Sequence, residues 1–241
     1  MKATTSPIAS LAVAAVERVE IHHRDGQAAF EAAREAEIAA FWAPLVASNP
    51  ALYNGRVFLF EDLALEGGAL VGTARTAGFA TLLALIEWQG EGLLNLFGCA
   101  ALLSREGDVL LGRMGAQTAT PGAIKFVGGT PDASDLRPDG RVDLLASIRR
   151  EAAEETGLDI AAEARSEGLL LVRDGPIVAL VECLRFDLST DELISRVRAF
   201  LAADPDPELA DVAVARRVED AARDEIPRYT RIVLEHLLAG R

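Results

Sequence analysis

Residues 149–158, RREAAEETGL, set three glutamates, Glu151, Glu154 and Glu155, beside two arginines within ten positions. On a helix of about 3.6 residues per turn, Leu144, Leu145, Ile148 and Ala152 form an apolar stripe, and Glu155 falls along it rather than opposite it. Glu155 is therefore expected to be partly buried. Glu151 precedes it by a turn and Glu154 follows Glu151 by three residues, so the three carboxylates are expected to converge on one edge of the buried face. Such a cluster is unfavourable on its own. Like charges at these spacings repel, desolvation adds to the cost, and the C-terminal end of a helix disfavours acids by roughly 0.3–1 kcal/mol each. Either the carboxylates take up protons or something cationic sits among them. Arg149 and Arg150 can supply part of that charge. A hard divalent cation, Mg2+ or Mn2+, can supply the rest, because these ions favour carboxylate and carbonyl oxygen and complete their shells with water and substrate phosphate.

These acids need elements to hold them. The apolar runs LLNLFGCAALL and DVLLGRM, joined by SREGD, read as a hairpin, and AIKFV leads as a short strand into the glycine pair Gly128 and Gly129. A Pro/Asp/Gly loop, TPDASDLRPDGR, follows, and then the helix DLLASIRREAAEET, with Asp143 as its N-cap and Gly157 as its stop. GLLLVR, GPIVALVECLRFDL and DVAVARRV read as further strands, with helices over TDELISRVRAFLAA and PRYTRIVLEHLLA. Towards the N-terminus, residues 27–47 place Phe30, Ile38, Phe41, Trp42 and Leu45 at helical spacing, and one amphipathic helix is expected there, ending between Pro44 and Pro50. RVFLFEDL, EGGALVGTARTAG and FATLLALIEW read as strand-like runs, so residues 51–90 are expected to form an antiparallel element.

The nonapeptide REAAEETGL, residues 150–158, resembles the second half of the Nudix hydrolase signature, Arg-Glu-apolar-any-Glu-Glu-any-Gly-apolar, at every charged position. The first half departs from it. The family pattern puts its arginine 14 residues after the opening glycine, whereas Gly129 and Arg150 lie 150 − 129 = 21 apart, seven more. The signature's separate glutamate, eight before the arginine, is Val142 here, with Asp143 adjacent and Asp139 nearby as substitutes. The resemblance implies an α/β (α+β) Nudix fold, a mixed β-sheet sandwiched between helices, over residues 93–241, with residues 1–92 as an N-terminal α/β extension. It further implies Glu151, Glu154 and Glu155 as metal ligands and catalytic groups with the Gly129 carbonyl beside them, Arg150 orienting the glutamates, and Mg2+ (or Mn2+) as cofactor. The implied reaction is pyrophosphohydrolysis of a nucleoside diphosphate linked to another moiety.

A weaker, pattern-level similarity to Nudix proteins related to UDP-sugar hydrolases runs through LYNG, FLFEDLALEGGALVGTARTAGFATLLA and LLGRMGAQTATPGAIKFVGGTPD. It favours a nucleoside diphosphate sugar as substrate, with ADP-ribose or another nucleoside diphosphate derivative second, and a non-catalytic nucleotide-binding module as the rival. Lys125, Arg113 and Arg75 are candidates to meet substrate phosphates, against ordinary solvent-facing or ion-pair roles. Trp88 and Tyr53, near turns, are candidates to stack on a base, whereas Trp42 reads as core.

Bulk composition narrows the partners. With 24 basic against 37 acidic residues and a net charge of −13, a phosphate-tracking nucleic-acid surface is not expected. Cys99 and Cys183 both sit in apolar runs and read as reduced core thiols, which with the absence of an 18-residue apolar run favours a cytoplasmic setting and no membrane partner. The opening segment, MKATTSPIASLAVAAVERVE, is not expected to act as a signal peptide. Homodimerisation through the extension is expected from its exposed-strand character.

Overall fold

A computed structural model describes residues 5–240. In chain order its first elements are β1 (Thr5–Pro7), β2 (Ala14–Val16), β3 (Arg18–His23), α1 (Ala29–Ala33), α2 (Glu35–Ser48), β4 (Arg56–Glu66), β5 (Ala69–Gly78) and α3 (Phe79–Glu87). There follow β6 (Asn95–Leu103), β7 (Val109–Met114), β8 (Ile124–Lys125), β9 (Val127–Gly129), α4 (Leu144–Thr156), α5 (Ile160–Glu163), β10 (Ala164–Asp174), β11 (Ile177–Phe186), α6 (Thr190–Ala203), β12 (Leu209–Ala215) and α7 (Arg228–Leu238). The class is α+β, as expected. The chain divides into two compact units, residues 1–97 with 130–144 and 171–179, and residues 98–129 with 145–170 and 180–241. Residues 130–144 and 171–179 group with the N-terminal residues rather than with the rest of 93–241.

The first unit holds a mixed four-stranded sheet in the order β1-β4-β5-β3, with β4 antiparallel to β5 and β3 parallel to β5. The β4–β5 turn uses Gly67 and Gly68 at φ +54° and +80°, the left-handed pair that a tight hairpin turn requires. The loop after Gly129 attaches to the free side of β3: the His23 N–H donates to the Gly140 carbonyl (2.9 Å) and the Val142 N–H to the Ile21 carbonyl (3.0 Å). Val142, at the position of the signature's glutamate, is thus a buried strand-like residue, 4% exposed.

Two sequence expectations fail in this unit. Residues 79–87, expected as strand, form α3. An all-apolar run shows no period of its own, and burial on several sides suits a helix as well as a strand. Here polar groups from elsewhere in the unit cap the helix: Asn54 Oδ1 accepts from the Ala80 N–H (2.8 Å) and Glu31 Oε1 from the Gly78 N–H (2.8 Å). Residues 27–47, expected as one helix, form α1 and α2, separated at Arg34 (φ −130°), whose guanidinium lies 4.6 Å from the Phe30 ring centre. The end of α2 is as expected: it runs through Pro44 and stops at Ser48, between Pro44 and Pro50.

In the second unit β6 and β7 form the expected hairpin, with Leu102 opposite Leu110 and Leu103 opposite Val109, and β12 pairs antiparallel with β7. The expected strand AIKFV is broken at Phe126 into β8, on β7, and β9, on β6. The core here gathers large side chains such as Leu102, Leu111, Phe126 and Phe186, all essentially unexposed. The helices over 144–156, 190–203 and 228–238 lie where the sequence put them. Among the described residues no helix is long and apolar enough to cross a membrane.

Candidate active site

The site is built from α4 and β9, both in the second unit apart from the first residue of α4. Ile148, Ala152 and Glu155 follow one line down the helix, at 0%, 0% and 6% exposure, so Glu155 is drawn into the core by the same periodicity that buries its apolar neighbours. The helix stops where glycine permits. Gly157 takes φ +67° and donates its N–H to Ala153 (2.8 Å), and a Cβ there would overlap the Phe200 ring.

The glycine pair explains itself in β9. Gly128 stands opposite Cys99 at φ +144°, and a Cβ on it would overlap the Gly98 carbonyl and approach Cys99 Cα to 2.5 Å. Only a residue without a side chain lets β9 lie this close to β6. Its freed N–H donates to Glu155 Oε2 at 2.9 Å. A Cβ on Gly129 would meet the Glu151 carboxylate at 2.8 Å, so Glu151 lies directly over that glycine. Two carboxylates one helical turn apart therefore rest on two consecutive glycines.

The three acids separate into two groups, which corrects the expected convergence on one buried edge. Glu155 is buried, while the Glu151 and Glu154 side chains are 21% and 61% exposed and share Arg150, whose Nη1 reaches Glu151 Oε1 at 2.6 Å and Glu154 Oε2 at 3.1 Å. The guanidinium sits among them because it lies on the helix surface within one turn of both. Arg149 turns elsewhere: its Nε and Nη2 take both oxygens of Glu182 on β11, at 3.0 and 2.6 Å.

Burial pushes the Glu155 carboxyl up from 4.5 to about 8, and the charges on Glu208 and Glu151 push the same way, against Lys125 and the Gly128 N–H. Among the described residues no three His, Cys, Asp or Glu side chains stand together at metal-holding spacing. In donor chemistry, three carboxylates beside a backbone carbonyl, the set nevertheless fits a hard divalent cation.

The other candidates fall as follows. Lys125, on β8, is half-buried and close enough to Glu155 for its charge to act on that carboxyl. Arg113 donates to the Gly122 carbonyl (3.3 Å) and lies 4.0 Å from Glu225. Arg75, in the first unit, is engaged by Glu61 (2.9 Å) and the Asp25 carbonyl (2.6 Å). Asp139 pairs with Arg141 (2.7 Å) and Asp143 with Arg137 (3.2 Å). Tyr53 is 82% exposed, Trp88 is 37% exposed and packs edge-on against Phe41, and Trp42 meets Phe79 edge-on. Sequence reasoning missed Glu208, read as part of a solvated acidic loop, and Glu182. Neither carries a local signal: Glu182 meets α4 through Arg149, and Glu208 acts on Glu155 by its charge, both only through the fold.

No family model matches the sequence, and no curated protein matches it significantly. Among solved structures, the chain is similar to a MutT protein from Methanosarcina mazei Go1, 18% identical over 60% of this chain and 92% of that one, with a TM-score of 0.38. It is also similar to a bifunctional NMN adenylyltransferase/ADP ribose pyrophosphatase from Francisella tularensis, complexed with AMP and Mn ion, at 15% identity over 60% of this chain and 41% of that one, TM-score 0.40. A Nudix hydrolase from M. Smegmatis, RenU, is 15% identical over 59% of this chain and 81% of that one, TM-score 0.38. At these identities and scores the likenesses carry no weight for function.

Proposed function

We propose that the chain is a divalent-metal-dependent pyrophosphohydrolase of the Nudix type, acting on a nucleoside diphosphate linked to another moiety, with a nucleoside diphosphate sugar as the favoured substrate. One observation carries the reading: REAAEETGL and the glycine pair, more than twenty positions apart, meet through the 2.9 Å bond from the Gly128 N–H to Glu155 and the packing of Glu151 on Gly129. Composition alone does not produce that encounter. Glu151, Glu154 and Glu155, with the Gly129 carbonyl, would hold Mg2+ or Mn2+, which supplies Lewis acidity toward phosphoryl oxygens and water. Arg150, bonded to Glu151 and Glu154, fixes the two outer carboxylates. Lys125 and Arg113 are the cations of this unit offered to substrate phosphates. Two buried free thiols suit a cytoplasmic protein.

A second reading, a nucleotide-binding module without turnover, is favoured by the buried Val142 at the signature's glutamate position. Incubation of the purified protein with Mg2+ and a panel of nucleotide sugars and ADP-ribose separates the two. Release of a nucleoside monophosphate, lost in Glu155→Gln, is expected. Nucleotide binding without product from any member would establish the module instead.

A further inference from the structure

We propose that Glu182 and Arg149 form a positioning pair that fixes the roll of α4, and with it the location of the acid-bearing face. The inference rests on the pyrophosphohydrolase reading for its activity arm only. Glu182 is 1% exposed, in the middle of the apolar strand β11, a place where an acid is retained only with a full partner. Arg149 supplies it: two nearly parallel bonds, Nε to Oε2 at 3.0 Å and Nη2 to Oε1 at 2.6 Å, the fork-on-carboxylate geometry that fixes orientation as well as distance.

Position around the helix gives the pair its role. At about 100° per residue, with Ile148 at the core line, Glu155, Glu151 and Glu154 project at roughly −20°, −60° and −120°, and Arg149 at about +100°. The acids occupy one flank of α4 and the clamp occupies the other. Apolar packing alone holds the roll weakly here, because beyond Ile148 the buried line of the helix offers only Ala152, Glu155 and Thr156. A second polar anchor, on the acid-bearing flank, is the Gly128 N–H on Glu155. Rolling α4 by about 20° at a side-chain radius of about 5–6 Å would move each carboxylate by roughly 2 Å, far outside the tolerance of a working site. Arg149→Lys keeps the charge and loses the fork. Removing Arg149 alone strands the buried Glu182 carboxylate, so the informative variant removes both.

The test compares wild type, Arg149→Lys and the double variant Arg149→Met/Glu182→Leu. Removing both charges together is expected to leave cooperative urea unfolding intact. Three quantities are read: the chemical shift and exchange protection of the Gly128 amide without metal, Mn2+ affinity by calorimetry, and kcat and KM on whichever substrate the wild type turns over. The double variant is expected to shift and deprotect the Gly128 amide, to weaken Mn2+ binding at least tenfold, and to lower kcat at least tenfold with KM changed less than threefold. Arg149→Lys is expected to fall between. A folded double variant whose Gly128 amide and Mn2+ affinity match wild type overturns the proposal. The amide separates the two readings: a protein that neither binds Mn2+ nor turns over substrate refutes the hydrolase, while a displaced Gly128 amide in the double variant still sustains the positioning pair.

Discussion

Replacing Glu155 by glutamine should make the metal-free protein more stable at high pH, and the size of the effect follows from its burial. At 6% exposure, and with Glu208 and Glu151 adding their repulsion, the carboxyl is raised from 4.5 to about 8 in the fold. Below about 4.5 both folded and unfolded chains hold the proton and the group contributes no penalty. Between there and about 8 the unfolded chain releases the proton while the folded one retains it, so stability is lost as pH rises through that window. At about 1.4 kcal/mol per tenfold in proton affinity, the whole loss is on the order of 5 kcal/mol. Glutamine keeps an oxygen to accept from the Gly128 N–H and removes the ionisation. Urea unfolding in chelator at about pH 5 and about pH 8.5 should therefore show wild type losing several kcal/mol more than Glu155→Gln between the two conditions, with the other titrating groups cancelling in the difference. Mn2+ added at the upper pH should close the gap by binding the folded, ionised form. Parallel pH dependences, agreeing within about 0.5 kcal/mol, would refute the claim that Glu155 is buried against its charge.

Gly128→Ala, which drives a Cβ to 2.5 Å from Cys99 Cα at a φ of +144°, should cost roughly 2–4 kcal/mol in urea unfolding; a loss under about 1 kcal/mol would mean that β9 does not hug β6. Glu151→Gln, at a part-exposed position, should weaken Mn2+ binding at least tenfold in calorimetry while moving the urea midpoint little, and unchanged affinity would remove Glu151 from the ligand set. Burial raises both thiols, Cys183 to about 11 and Cys99 further, so a thiol reagent near neutral pH should label neither in the native protein and both after unfolding. Size-exclusion chromatography with light scattering at micromolar concentration should report a homodimer, and a monomer mass would dispose of that expectation.

Much of the second unit was legible in the sequence because its signals are local and periodic. The hairpin 95–114, the acid-bearing helix and its glycine stop, and the two later long helices each carry their own pattern, and they appear within a residue or two. What failed was information held elsewhere in the chain. Residues 79–87 become a helix with caps from Asn54 and Glu31, which lie 26 and 47 residues upstream of the groups they receive. Strands β1 and β2 span three residues each, too few to show a period, and β3, RVEIHH, alternates polar with apolar residues over only six positions. For the site, helix geometry foretold that Glu155 would be inside. The same geometry sets Arg150 on the flank of Glu151 and Glu154 and Arg149 on the other; what it did not foretell is the partner of Arg149, the buried Glu182, supplied by a distant strand.

Between Gly129 and Arg150 lie seven residues more than in the signature that the sequence resembles, and the loop they lengthen has a structural consequence. By laying Gly140 to Val142 against Ile21 to His23, the long loop seals a rim of the four-stranded sheet whose bare amides and carbonyls would otherwise recruit strands from neighbouring molecules. Shortening the loop by those seven residues would unseal that rim, and the damage would surface first as turbidity in concentrated solution.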